Sequence, residues 1–155
     1  MAGKSYSYLK IYFDGGSRGN PGPSAVGAVV YDDKNKRIEE LSSYIGSHTN
    51  NVAEYLALDK VLDAIEKYKC KNVVLFTDSK LLHNQVKKIW KIKDKNILEI
   101  FLKVSKKLNR YDVVDLRLVP REENKEADKL VNRALDKKEL TYEGESEISF
   151  GNVDD

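Results

Sequence analysis

The chain has 155 residues, 41% hydrophobic and 34% charged, with a formal net charge of +2. That length suits one folded domain rather than two, and the apolar fraction excludes wholesale disorder. No run approaches the ~20 apolar residues of a membrane span, the N-terminal MAGKSYSYLKIYF lacks a secretory signal's apolar centre, and the lone Cys70 excludes internal disulfides and cysteine-cluster metal sites. A cytoplasmic address follows as the expectation, with Cys70 a buried bystander. In chain order, residues 6–13 alternate, with Leu9, Ile11 and Phe13 on one side, and read as a strand ending at Asp14. The glycine-rich turn GGSRGNPGP follows. Residues 25–31 (AVGAVVY) and 37–45 (RIEELSSYI) read as a second and third strand, joined by turns short enough for an antiparallel meander.

A helix is predicted over 51–68 from the spacing of Tyr55, Leu58, Leu62 and Ile65. The apolar run NVVLFT at 72–77 reads as a strand buried on both faces, ending at Asp78. Helices are expected over 79–89 and 97–109, a fifth strand over 113–119, and a last helix from a capping Asn124 to about Asp136. The order β-β-β-α-β-α-α-β-α predicts an α/β domain, a five-stranded mixed sheet flanked by helices. It occupies residues 1–138, and 139–155 form an acidic tail without clear periodicity, though ISF near its end could pack.

Charge is segregated. Residues 80–110 carry ten Lys or Arg against Asp94 and Glu99, a net +8, whereas 139–155 carry six acids and no base. A basic block of this kind suits a polyanion, or is simply a solvated helix face. The tail is either a solubilising appendage or a competitor that folds back over the basic stretch.

In open α/β sheets, function collects beyond the carboxyl ends of parallel strands, where Asp14 and Asp78 fall. Each alone reads as a turn or cap residue. As a pair at neighbouring strand ends they would repel unless a cation held both, which favours Mg²⁺ or Mn²⁺ with oxygen ligands. Glu54, expected in the first turn of its helix, and Asp128, one turn past Asn124, are candidates to complete the site; otherwise they are solvated surface charges.

The segments FDGGSRGNPGPSAVGAVV, TNNVAEYLAL, FTDSKLL and VPREENKEADKL resemble the four motifs of type 1 ribonuclease H, in order and at similar spacing. The resemblance implies a ribonuclease H-like fold and hydrolysis of the RNA strand of RNA–DNA hybrids, leaving 5′-phosphate and 3′-hydroxyl ends. It implies that Asp14, Glu54, Asp78 and Asp128 hold two Mg²⁺ ions, replaceable by Mn²⁺. Asp14 would bridge both, Asp128 would share the ion at the attacking water, and Glu54 and Asp78 the ion at the leaving oxygen. Gly15 and Gly16 would let backbone approach the sugar–phosphate chain and read 2′-hydroxyls. Asn20, Asn50 and Asn51 match positions contacting the hybrid, and Thr49 one lining a pocket for a DNA phosphate; Thr49 or Asn50 could equally cap the helix. Lys80 stands where many relatives carry Gln, suiting a phosphate contact.

Trp90 and Lys91 are the stub of the long basic protrusion found in other members. Trp90 either lies along the DNA strand or packs on its own helix. Neither His48 nor His83 fits the mobile histidine that many bacterial members place before the fourth motif, so Arg121, Glu122 or Glu123 would substitute in product release. A short archaeal-like member acting as a monomer on hybrids, and on other RNA-containing duplexes, is the expectation. The competing readings are an inactive hybrid- or RNA-binding module of the same fold and a junction-nuclease or integrase-like enzyme.

Overall fold

A computed structural model describes residues 5–148, with side chains through Leu140. Five strands form one mixed sheet in the order β3-β2-β1-β4-β5. They are β1 (Leu9–Ser17), β2 (Gly22–Tyr31), β3 (Arg37–His48), β4 (Asn72–Thr77) and β5 (Val113–Leu118). The first three form the expected antiparallel meander, and β4 and β5 join β1 in parallel. The helices are α1 (Asn50–Ala64), α2 (Lys80–Val86), α3 (Lys95–Leu108) and α4 (Lys125–Ile148).

Strand alternation explains the layering. Leu9, Ile11 and Phe13 of β1 are fully buried in one apolar cluster with Tyr55, Leu58 and Leu62 of α1, Leu82 of α2 and Val104 of α3. Fully burying a large apolar side chain contributes about 1.5–3 kcal/mol. A smaller cluster, Ala25 with Val131, Ala134 and Leu135, seats α4 against β2. Two glycines set how close the helices come. A Cβ at Gly15 would lie 2.1 Å from the Ala53 carbonyl oxygen of α1, and one at Gly27 would lie 2.4 Å from that of Ala127 in α4.

Several boundaries differ from the sequence-based expectation, and four of them bear on the site or its surroundings. β1 continues to Ser17, so Asp14 lies within the strand opposite Gly27 rather than at its end, because the glycines remain paired with β2. α1 starts at Asn50, which puts Glu54 in the second turn. α2 stops at Val86 rather than about 89: Lys88 takes φ +64°, and the Ile89 and Trp90 N–H groups turn back onto the Asn84 carbonyl at 2.7 and 3.0 Å. α4 runs on to Ile148, past Gly144, because Asp136 is followed by the good helix formers Lys137, Lys138, Glu139 and Leu140 and by no proline. The packing expected of residues 148–150, and the fold-back of the tail, lie outside the described side chains. Among the described residues no helix is long and apolar enough to cross a membrane.

Candidate active site

The parallel register builds the centre of the site. Tyr12 of β1 pairs with Phe76 of β4, and two residues further along each strand direction stand Asp14 and Asp78. Close packing of α1 on Gly15 then brings in Glu54, whose Oε1 accepts from the Gly15 N–H at 3.1 Å. Carboxylate oxygens of Asp14, Glu54 and Asp78 all lie within 4.8 Å of one another. Asp128, half-buried on α4, lines the same cavity from the other side, near enough for its charge to act on the Asp14 carboxyl. Asp14, Glu54, Asp128 and Arg121 line one cavity of about 180 Å³.

Asp14 and Glu54 are only 7% and 5% exposed. Burial, then the charges of Asp78 and Asp128, pushes the Asp14 carboxyl up to about 8. Burial, then Asp14 and Asp78, drives Glu54 in the same direction against the Gly15 N–H. Buried carboxyls that resist ionising together need positive charge between them to become carboxylates. The donors are hard oxygens from separate elements, without histidine or cysteine, and this set fits a divalent cation such as Mg²⁺ or Mn²⁺.

Asn124 contributes what sequence reading assigned to capping. It is 1% exposed, and its Nδ2 donates to the Phe13 carbonyl and to Asp78 Oδ2, each at 2.9 Å. The side chain thus locks Asp78 to β1, while among the described residues its buried Oδ1 has no partner. An Asn one residue before a helix reads identically in either role, so only the fold distinguishes them.

The remaining expected contacts fall into three groups. Thr49 caps α1, its Oγ1 accepting from the Val52 N–H at 3.3 Å. Asn20 Oδ1 accepts from the Asn50 N–H at 3.0 Å, and Asn50 Oδ1 from the Ser17 N–H at 3.2 Å, so these amides tie the glycine-rich loop to α1. Asn51 is exposed. Gly15 and Gly16 both line the acidic cavity; Gly15 also lets α1 approach, and the missing Cβ of Gly16 points toward Val131. Lys80 and Lys91 are exposed beside Trp90, itself 44% exposed, with the Lys80 ammonium 5.9 Å from the Trp90 ring centroid. Buried Gln85 anchors this stub by donating to the Lys91 carbonyl at 3.1 Å. Arg121 lines the acidic cavity, whereas Glu122 lines a different one beside Tyr12 and Tyr31. Neither histidine lines the acidic cavity.

A meander joined to two parallel strands, with buried acids gathered at the β1–β4 junction, defines a nuclease-like α/β class. A family described as reverse transcriptase-like matches residues 12–134. The crystal structure of RNase H1 from Halobacterium salinarum superposes with a TM-score of 0.82 at 37% identity, covering 84% of this chain and 99% of that one. LC11-RNase H1, crystallised in complex with an RNA/DNA hybrid, gives 0.79 at 39% identity over 84% and 98%. A bifunctional protein of Mycobacterium tuberculosis is 39% identical over 81% of this chain. The chain belongs to the ribonuclease H family. It spans 35% of the mycobacterial protein's length and 64% of Halobacterium ribonuclease HI.

Proposed function

We propose that this chain is an endoribonuclease that hydrolyses the RNA strand of RNA–DNA hybrids with two Mg²⁺ ions, replaceable by Mn²⁺, leaving 5′-phosphate and 3′-hydroxyl ends. The observation that carries the reading is the convergence of Asp14, Glu54 and Asp78 within 4.8 Å, with Asp128 of α4 facing Asp14 across the same cavity. Because Asp14 clusters with Glu54 and Asp78 and shares a cavity with Asp128, it is the ligand to be shared. Asp14 with Asp128 would hold one ion, and Asp14 with Glu54 and Asp78 the other. Divalent cations held there supply charge neutralisation at the attacking and leaving oxygens of an in-line phosphodiester displacement.

The protein's own groups do the rest. Asn124 keeps Asp78 oriented, and the Gly15 N–H keeps Glu54 oriented. Backbone around Gly16 and the loop held by Asn20, Asn50 and Ser17 offers peptide groups to 2′-hydroxyls, with exposed Asn51 beside it. Lys80, Trp90 and Lys91 take the DNA strand by charge and stacking, and Arg121 at the cavity attends product departure. Residues 1–138 form the catalytic domain, acting as a cytoplasmic monomer on hybrids and other RNA-containing duplexes, with 139–155 as an acidic appendage.

The test is cleavage of a labelled hybrid beside matched RNA and DNA duplexes, with and without Mg²⁺. Mg²⁺-dependent cuts in the RNA strand of the hybrid are expected, and Asp14→Asn should lose about 10³-fold or more in kcat, the scale on which one preorganised charge contact acts. Hybrid binding should persist in that variant. Hybrid binding without any metal-dependent cleavage by the unaltered protein would make it a binding module instead.

A further inference from the structure

Asp128 is the one acid of the four outside the tight cluster, and it stands on a different helix from Glu54. Its position therefore depends on what holds it along α4. One turn on, Asn132 Nδ2 donates to the Asp128 carbonyl at 3.1 Å and to Asp128 Oδ2 at 3.3 Å. Both Asp128 atoms are acceptors, so they favour the Nδ2 end of the amide, and a donor on its Oδ1 holds that orientation in place. The donor comes from the glycine-rich loop. Arg18 Nη2 donates to Asn132 Oδ1 at 3.2 Å, which leaves Nδ2 toward the carboxylate. The guanidinium is itself held by Asp136 at 2.8 Å and Glu139 at 2.9 Å. Asp128, Asn132 and Asp136 recur every fourth residue along one stripe of α4, so a single fork from the loop grips the stripe.

We infer that Arg18 and Asn132 are positioning residues for Asp128: the guanidinium fixes the amide, and the amide holds the carboxylate toward Asp14 for cation binding. The inference rests on the proposed metal-dependent reading, and it links the substrate loop to the fourth ligand. Removing groups that orient a metal ligand costs about 10–100-fold in affinity. These bonds are exposed, so the lower end applies.

The experiment is a Mn²⁺ titration followed by electron paramagnetic resonance on the full chain, needing neither nucleic acid nor turnover. Asn132→Ala and Arg18→Ala should each weaken the tightest Mn²⁺ site by about tenfold, and the double variant should be no weaker than the worse single one, since both act through one bond. Asp136→Asn with Glu139→Gln removes the ion pairs and keeps the amide contact, and should leave Mn²⁺ affinity within about twofold. Metal-free melting temperatures separate misfolding from mispositioning. Unchanged Mn²⁺ affinity in the singles, additive losses in the double, or an equal loss in the Asp136/Glu139 variant would overturn the assignment. The last result would make Arg18 a loop staple only. Absent hybrid cleavage by the unaltered protein would sink the activity reading, while the Mn²⁺ series would still decide this one.

Discussion

Asp14 carries the largest consequence of any single residue for how the protein responds to pH. Its carboxyl moves from an ordinary value of 3.8 to about 8 in the folded chain, through burial and then the neighbouring Asp78 and Asp128. Between those values the folded state keeps a proton that the unfolded chain has released. Stability from this group is therefore fully present below 3.8 and declines as pH rises towards 8. Cation binding requires the ionised form and reverses the penalty. Thermal melts of the cation-free protein should show a melting temperature that falls from pH 5 to pH 8. Mg²⁺ should raise it more at pH 8.5 than at pH 6, and Asp14→Asn should flatten both dependences. A melting temperature that climbs with pH in the cation-free protein would contradict the placement of Asp14.

Helices and strands meet here through missing side chains as much as through present ones. Gly15 lets α1 approach β1 until its backbone touches the strand, and Glu54 reaches Asp14 only because of that approach. In Gly15→Ala the new methyl would lie 2.1 Å from the Ala53 oxygen and 2.6 Å from the Glu54 nitrogen, both backbone atoms. The helix must shift away, at a cost of about 1–3 kcal/mol or more in stability. Glu54 moves with it, so cleavage and melting temperature should fall together, and cation affinity should fall in the folded fraction. Wild-type cation affinity in a folded Gly15→Ala protein would show that α1 packing does not set the site. Much at this scale was legible beforehand: NVVLFT reads as a buried strand, and the spacing of Tyr55, Leu58 and Leu62 as a helix, because periodicity reports burial directly. What was not legible depends on contacts between elements. The glycines after Asp14 look like a turn until β2 is seen pairing them, and the end of α2 turns on a positive φ at Lys88 that lysine does not announce. Asn124 has the identity and position of a cap, yet its amide serves Phe13 and Asp78.

On the proposed reading a cluster of buried acids works on a polyanion, so across the whole molecule the attraction has to come from elsewhere on the surface. The +8 of residues 80–110 is the available source, but the fold divides it. At the far end of the block Lys107 is engaged with Asp59 and Asp63 of α1, and Arg110 with Glu66, whereas Lys103 and Lys106 are exposed and, among the described residues, not ion-paired. Lys80, Lys87, Lys88, Lys91, Lys93 and Lys95 remain exposed, and among the described residues none of them is ion-paired. They flank Trp90 in the sequence on both sides of the turn that Lys88 creates at the end of α2, with Lys80 over its ring. Binding there would release condensed counterions from the nucleic acid, so log affinity should fall linearly with log salt, by about 0.9 for each duplex phosphate neutralised. Anisotropy of a labelled hybrid in the Asp14→Asn background, where cleavage is blocked, reads this slope directly. Lys80→Gln with Lys91→Gln should reduce it by about 1–2, whereas Lys107→Gln should lower stability and leave the slope unchanged. Equal slopes in the Lys80/Lys91 variant and its parent would place the phosphate contacts on some other face, and the exposed lysines around Trp90 would then serve only solubility.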